Sequence, residues 1–128
     1  MGKICVQNVE VTIDNIEEKG ISSQIFSIAN SALNEKKFLE KAGFDENGKN
    51  YALAINVNER SFFKDIQSAR SLYTHYRLFS EDGECVLEKV FCSESKNSIL
   101  STVTQQRQIE RIAKDLKKFF SSGTSDEA

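Results

Sequence analysis

The chain has 128 residues, enough for one domain with its own core and no need of disulfide or metal staples. Apolar residues make up 39% and charged residues 28%, and a net charge of −2 gives no global attraction to nucleic acid or anionic lipid. No run of about 18 apolar residues is present, so no helix is expected to span a membrane.

In chain order, Cys5 to Ile13 alternates, with Val9, Val11 and Ile13 on one face and Asn8, Glu10 and Thr12 on the other. Period two predicts a half-buried strand, and Asp14-Asn15 ends it. Glu17 to Ala42 switches to helical spacing, with Ile21, Ile25, Ile28, Ala32 and Leu39 in one stripe and Phe26, Ala29 and Leu33 beside it. The helix is expected to start near Gly20 to Ser22 and to stop at Gly43, a natural left-handed position just past a helix end. Tyr51 to Val57 predicts a second strand and Leu72 to Phe79 a third, with an irregular stretch from Arg60 to Ala69 between them.

Glu81-Asp82-Gly83 predicts a tight hairpin, from which Cys85 to Cys92 returns as the fourth strand. Two registers are open. A two-residue turn opposes Arg77 with Glu88, and a three-residue turn with a bulge at Gly83 opposes Tyr73 with Phe91 and Tyr76 with Glu88. After a polar link at Ser93 to Ser98, a last helix runs to about Phe120 on Val103, Ile109, Ile112, Ala113, Leu116 and Phe120. The expected fold is an α+β two-layer sandwich, strand–helix–strand–strand–strand–helix. Its four-stranded sheet carries both helices on one face. Residues 1–120 form the single domain, and residues 121–128, rich in Ser, Asp and Glu, a disordered tail.

Chemical equipment is sparse. His75 is the single histidine, on a strand between Thr74 and Tyr76, and reads as an exposed or hydrogen-bonded strand residue. Cys5, Cys85 and Cys92 read as small buried hydrophobes, with one disulfide plus one thiol as the alternative. A zinc site from these three and His75 lacks the usual paired spacing, so no metal is expected. The six glycines are scattered and form no phosphate cradle, so no cofactor is expected either. No catalytic residues are assigned, and the chain reads as a non-enzyme.

Two surface features remain. Arg107, Arg111, Lys114, Lys117 and Lys118 crowd the last helix, where they read as a solvated face or as a seat for an acidic surface. Phe62-Phe63, in the predicted loop after the second strand, could anchor a partner or cover the core. Phe62, Phe63, Arg60, Tyr73 and His75 are the candidate partner-binding residues.

The order of elements resembles the small periplasmic lipoproteins of Gram-negative-type envelopes: the lipopolysaccharide-assembly lipoprotein LptE, YajG-type lipoproteins and auxiliary lipoproteins of ABC transporters. The segments that carry the resemblance are Tyr51 to Val57, the hairpin Leu72 to Phe91 around Phe79-Ser80-Glu81-Asp82-Gly83-Glu84, and Ile112-Ala113-Lys114-Asp115-Leu116. The resemblance implies a domain that binds a protein partner, or lipid or lipopolysaccharide, in outer-membrane assembly or transport. It also implies a periplasmic place at the outer membrane through an N-terminal lipid anchor. This chain has no lipobox, and Cys5 lies inside a strand, so lipidation is not assigned to Cys5. Met1-Gly2-Lys3 leads straight into the first strand with no visible signal peptide, which fits a cytosolic protein or a mature fragment equally; the resemblance implies the second, with the signal and lipidated cysteine removed. The alternative is a cytoplasmic protein-interaction domain.

Overall fold

The structure, a computed structural model, describes residues 3–35, 38, 49–64, 67–95 and 102–122. The elements among them are β1 (Ile4–Ile13), β2 (Ile16–Glu17), α1 (Lys19–Leu33), β3 (Tyr51–Lys64), β4 (Gln67–Phe79), β5 (Cys85–Ser95) and α2 (Thr102–Ser122). The strands form one sheet in the order β2-β1-β3-β4-β5. β1 and β3 are parallel, and the remaining neighbours are antiparallel.

The α+β class stands, with five strands where four were expected. The added strand is β2, two residues long. Asp14 and Asn15 have φ of +50° and +69°, the left-handed pair that a two-residue hairpin turn requires. They turn the chain back, so that Glu17 and Ile16 pair with Thr12 and Ile13.

One face of the sheet is covered. Leu53, Ile55 and Val57 on β3 and Leu72, Thr74, Tyr76 and Leu78 on β4 are buried at every second position. Against them pack Ile25, Ala29 and Leu33 of α1 and Ile109, Ile112 and Leu116 of α2, in one continuous core. The two helices also touch each other, with Gln105 Nε2 donating to Gln24 Oε1 at 2.9 Å. Both therefore lie on the same face, and the other face has no helix among the described residues.

The strands run further than their apolar alternation. β3 continues through Arg60 to Lys64, and β4 begins at Gln67, not Leu72. The stretch expected to be irregular is a long antiparallel hairpin. Its reason is Glu59, which takes the inward position after Val57 and is only 1% exposed. Arg70 on β4 reaches it, its Nε donating to the Glu59 carboxylate, and a second nitrogen lies 3.1 Å from Asp14 Oδ2. An ion pair fills the place of an apolar contact, so the ladder goes on where the hydrophobic signal ends.

Asp14 closes this cluster. Its Oδ1 accepts from the Ser61 backbone N–H at 2.9 Å and from the Ser61 hydroxyl at 3.0 Å. The Ser61 amide first, and then Arg70, hold its carboxyl below the usual carboxylate range. A lowered folded-state pKa adds stability that is fully present above the unfolded value of about 4 and is lost as pH falls through the folded value. Asp14→Asn keeps a residue that tolerates the turn. In urea titrations from pH 7 to pH 2, this variant is expected to lose less stability below about pH 4 than the parent chain. Equal acid slopes would contradict the assignment.

The hairpin between β4 and β5 combines both expected forms. Gly83 N donates to Ser80 O at 3.0 Å and has φ of +88°, and Ser80 N donates to Glu84 O at 2.9 Å. This is the three-residue turn with glycine in the left-handed region. Yet Arg77 opposes Glu88 and Tyr73 opposes Cys92, the register of the two-residue turn. The ladder shifts between Leu78 and Phe79, which pairs with Cys85 and leaves Val86 as an extra residue.

Smaller differences concern ends. α1 starts at Lys19 and ends at Leu33, not at Gly43, because Asn34 leaves the helix and turns its amide onto the backbone of Ile4; Gly43 itself lies outside the described residues. β5 extends through Ser95, into what was read as a polar link. α2 runs to Ser122, so Ser121 and Ser122 belong to the helix, and residues 123–128 lie outside the described set.

Candidate functional site

The helix-free face is built from the outward positions of the strands. Pairing aligns them in rows: Asn8, Ala54, Arg77 and Glu88; Glu10, Asn56, His75 and Val90; Thr12, Asn58, Tyr73 and Cys92. Small and amide side chains on β3 form a low floor beside the taller groups on β4 and β5. Tyr73 is 44% exposed and Val90 63% exposed, unusual for large apolar side chains.

An open cleft of about 580 Å³ lies at one end of this face, lined by Asn58, Arg60, Ser61, Ser71, Tyr73 and Glu94. Arg60 and Tyr73 of the candidate set therefore share one site. Ser71, paired with Arg60, is buried at its base. Ser61 joins the cleft to the cluster behind it, because its backbone and hydroxyl hold Asp14. The cleft thus offers a guanidinium, a phenol, a carboxylate and amide groups in one open concavity, a set suited to hydrogen bonding and stacking with a polar or peptide ligand.

His75 lies on the same face, one outward position along from Tyr73. Its Nε2 is 2.6 Å from Glu88 Oε2. An ionised carboxylate only accepts, so the ring donates. The pairing is diagonal across the β4–β5 ladder, on the side of His75 away from Cys92. It fixes the ring on the surface beside the cleft.

Phe62 and Phe63 are corrected from a loop to β3, where they pair with Ala69 and Ser68. They lie on the same hairpin as Arg60, further towards its tip. The cysteines are also corrected. Cys5, Cys85 and Cys92 are all free thiols, and all three are exposed. Among the described residues no three metal-ligating side chains converge.

Two features of the site had no signal in the sequence reading. Glu94 lies in a stretch read as a link, and enters the cleft because β5 extends to Ser95. Ser71 lies between the stretch read as irregular, Arg60 to Ala69, and the strand expected from Leu72, and it enters the cleft because β4 begins at Gln67. Glu59 and Arg70 carried a usable signal: an acid on the inward phase of an alternating strand, with a base on the strand that follows.

The sequence matches no protein-family model. No curated protein matches it either. Solved structures do share its fold. A hypothetical protein from Chlamydia trachomatis superposes with a TM-score of 0.54 at 9% identity, over 94% of this chain and 98% of its own. A minor lipoprotein from Acinetobacter baumannii superposes with a TM-score of 0.50 at 8% identity, over 87% of this chain and 92% of its own. At such identities the likeness is one of fold, and it extends over nearly the whole of each chain.

Proposed function

We propose that this is a non-enzymatic binding domain of the cell envelope that engages a protein partner through the cleft end of its helix-free sheet face. The observation that carries the reading is the convergence of Arg60 and Tyr73, from adjacent strands, on one open cleft. Tyrosine and arginine are the residue types that most often dominate binding energy at interfaces. The shared fold with a minor lipoprotein supports the envelope placement. Tethering by a lipid anchor and a role in outer-membrane assembly or transport belong to the same proposal. Lipid or lipopolysaccharide is the other ligand class for this cleft.

A photo-crosslinking residue at Tyr73, in cells producing the protein, is expected to trap one defined partner. Arg60→Glu should abolish that product, and the same probe at Phe26 on α1 should not form it. Tyr73→Ala should weaken binding to the purified partner by about thirtyfold, the effect of a hot spot of about 2 kcal/mol. A solvent-face residue of this kind should change folding stability by less than about 0.5 kcal/mol. Equal crosslinking from Phe26 and Tyr73 would remove the cleft as the site. A coding sequence with a plain start codon at Met1 would favour the cytoplasmic alternative.

A further inference from the structure

The two edges of the sheet are treated differently. The β1 edge is closed at several points. Asn34, just past α1, accepts from Ile4 N at 3.1 Å and donates to Ile4 O at 2.7 Å, so its amide occupies both backbone groups of that residue. Val11 O is taken by Glu18 N at 2.9 Å, and Thr12 and Ile13 pair with β2. β5 occupies the opposite edge. Among the described residues its strand neighbour is β4 alone, over an edge of 11 residues. From Cys85 to Ser93 that edge has no second strand neighbour among the described residues, and such an edge is a template for another extended chain.

The chemistry along that edge is specific. On the outward side stand Val90, 63% exposed, and Cys92, flanked by Glu88 and Glu94. On the helix side stands Lys89, 48% exposed. Arg111 of α2 reaches over the same strand, with its guanidinium 4.2 Å from the Phe91 ring centroid. Arg107, Arg111, Lys114 and Lys118 are all exposed and follow at spacings of four, three and four, which places them in one stripe. Arg107 and Lys114 are displaced from Arg111 by about 6 and 4.5 Å along the axis, within one Debye length of about 8–10 Å. Asp115 already accepts from Tyr76 at 2.6 Å and faces Lys89 at 3.8 Å, and Glu110 stands exposed beside Arg111.

We propose that β5 is the docking edge for an extended, acidic segment of a partner protein, added as a further strand. Its alternate side chains would be acidic towards Lys89 and Arg111 and apolar towards Val90 and Cys92. Main-chain hydrogen bonds to β5 supply the frame, and the two-sided chemistry of the edge selects the sequence. A second copy of this chain is the poorer occupant. Pairing β5 with its own copy about a two-fold axis near Lys89 sets like charges of the two copies against one another. This edge adjoins the Arg60–Tyr73 cleft at Cys92 and Glu94, but the inference does not depend on that site.

The probe is a blocked nonapeptide that alternates glutamate with valine. Two controls accompany it: the same composition with the valines grouped, and the alternating peptide with glutamine for glutamate. Added to the intact chain, the first peptide is expected to slow hydrogen exchange at β5 amides. It should bind at least tenfold more tightly than either control, and weaken as salt rises from 50 to 500 mM. Lys89→Glu should reverse the preference towards a lysine–valine peptide. Because the two controls alter only the peptide, the comparison survives even if that variant folds poorly. Equal binding of the grouped peptide would overturn the proposal, as would unchanged exchange at β5. So would a dimer, by light scattering, that Val90→Lys dissociates.

Discussion

Tyr76→Ala is expected to lower folding stability by about 3–5 kcal/mol, the range for truncating a large aromatic in a packed core. Tyr76 is fully buried, in the middle of the helix-covered face. Its ring meets Phe91 edge-on at 6.4 Å between centroids. Its hydroxyl donates to Asp115 Oδ2 at 2.6 Å, joining β4 to α2. The alanine variant loses the ring, the hydrogen bond and the support beneath Phe91 together. Since small domains have only about 5–15 kcal/mol in hand, the urea midpoint should fall steeply. Tyr76→Phe separates the contributions. It keeps the packing and should cost about 1.5–3 kcal/mol, the worth of a hydrogen bond to a charged group. Burial first, and then the bond to Asp115, push the Tyr76 hydroxyl above its ordinary pKa. A raised folded-state pKa gives stability that is fully present below the unfolded value of about 10 and is lost as pH rises beyond it. The phenylalanine variant should therefore show a shallower loss above about pH 10. An unfolding free energy for Tyr76→Ala within about 0.5 kcal/mol of the parent would contradict this account of the core.

Arg70→Met is the second large effect, at about 3 kcal/mol. The change keeps much of the side chain's bulk and removes its charge. Glu59 is 1% exposed and would remain at its inward position without its guanidinium partner. Asp14 also loses its contact with Arg70, but Asp14 is 46% exposed and its share is small. The diagnostic variant is Glu59→Leu with Arg70→Met. An apolar pair of similar volume often matches a buried ion pair, so the double variant should recover most of the lost stability. A double variant as unstable as the single one would show that the pair is worth more than its isosteric replacement. A single variant of parental stability would show that water reaches Glu59.

The architecture was readable because its main signals are local. Period two in Tyr51 to Val57, helical spacing around Ile25 and Ile109, and Asp82-Gly83 at a turn each act within a few residues. What was missed depends on contacts far apart in sequence. Counting back by twos from Ile13 puts Cys5 on the buried face. The shift between Val6 and Asn8 leaves Gln7 as an extra residue, and Cys5 turns outward. Counting back by twos from Phe91 puts Cys85 inward, and the extra Val86 turns it out as well. Any residue can occupy such a bulge, so the letters around it carry no warning. The far half of the β3–β4 hairpin was missed for another reason. Glu59 looks like the end of an alternating run until its base, eleven residues later, is placed beside it. Of the candidate site, Arg60 and Tyr73 could be named in advance. Their meeting could not, because it depends on the Asn58–Tyr73 and Arg60–Ser71 pairings.

The bulge at Gln7 also bears on how the domain answers a pull. β1 and β3 are parallel and share nine paired residues, interrupted by that one extra residue. A force applied at Lys3 along the strand acts on this ladder in shear, so its rungs bear the load together and do not open one by one. A slip by one residue would carry Val9, Val11 and Ile13 off the core side, and a slip by two would drag the bulge against a partner strand that has no matching kink. The Asn34 amide adds a lock at Ile4, the first rung to be loaded. A load applied from that end is taken by the sheet lengthwise.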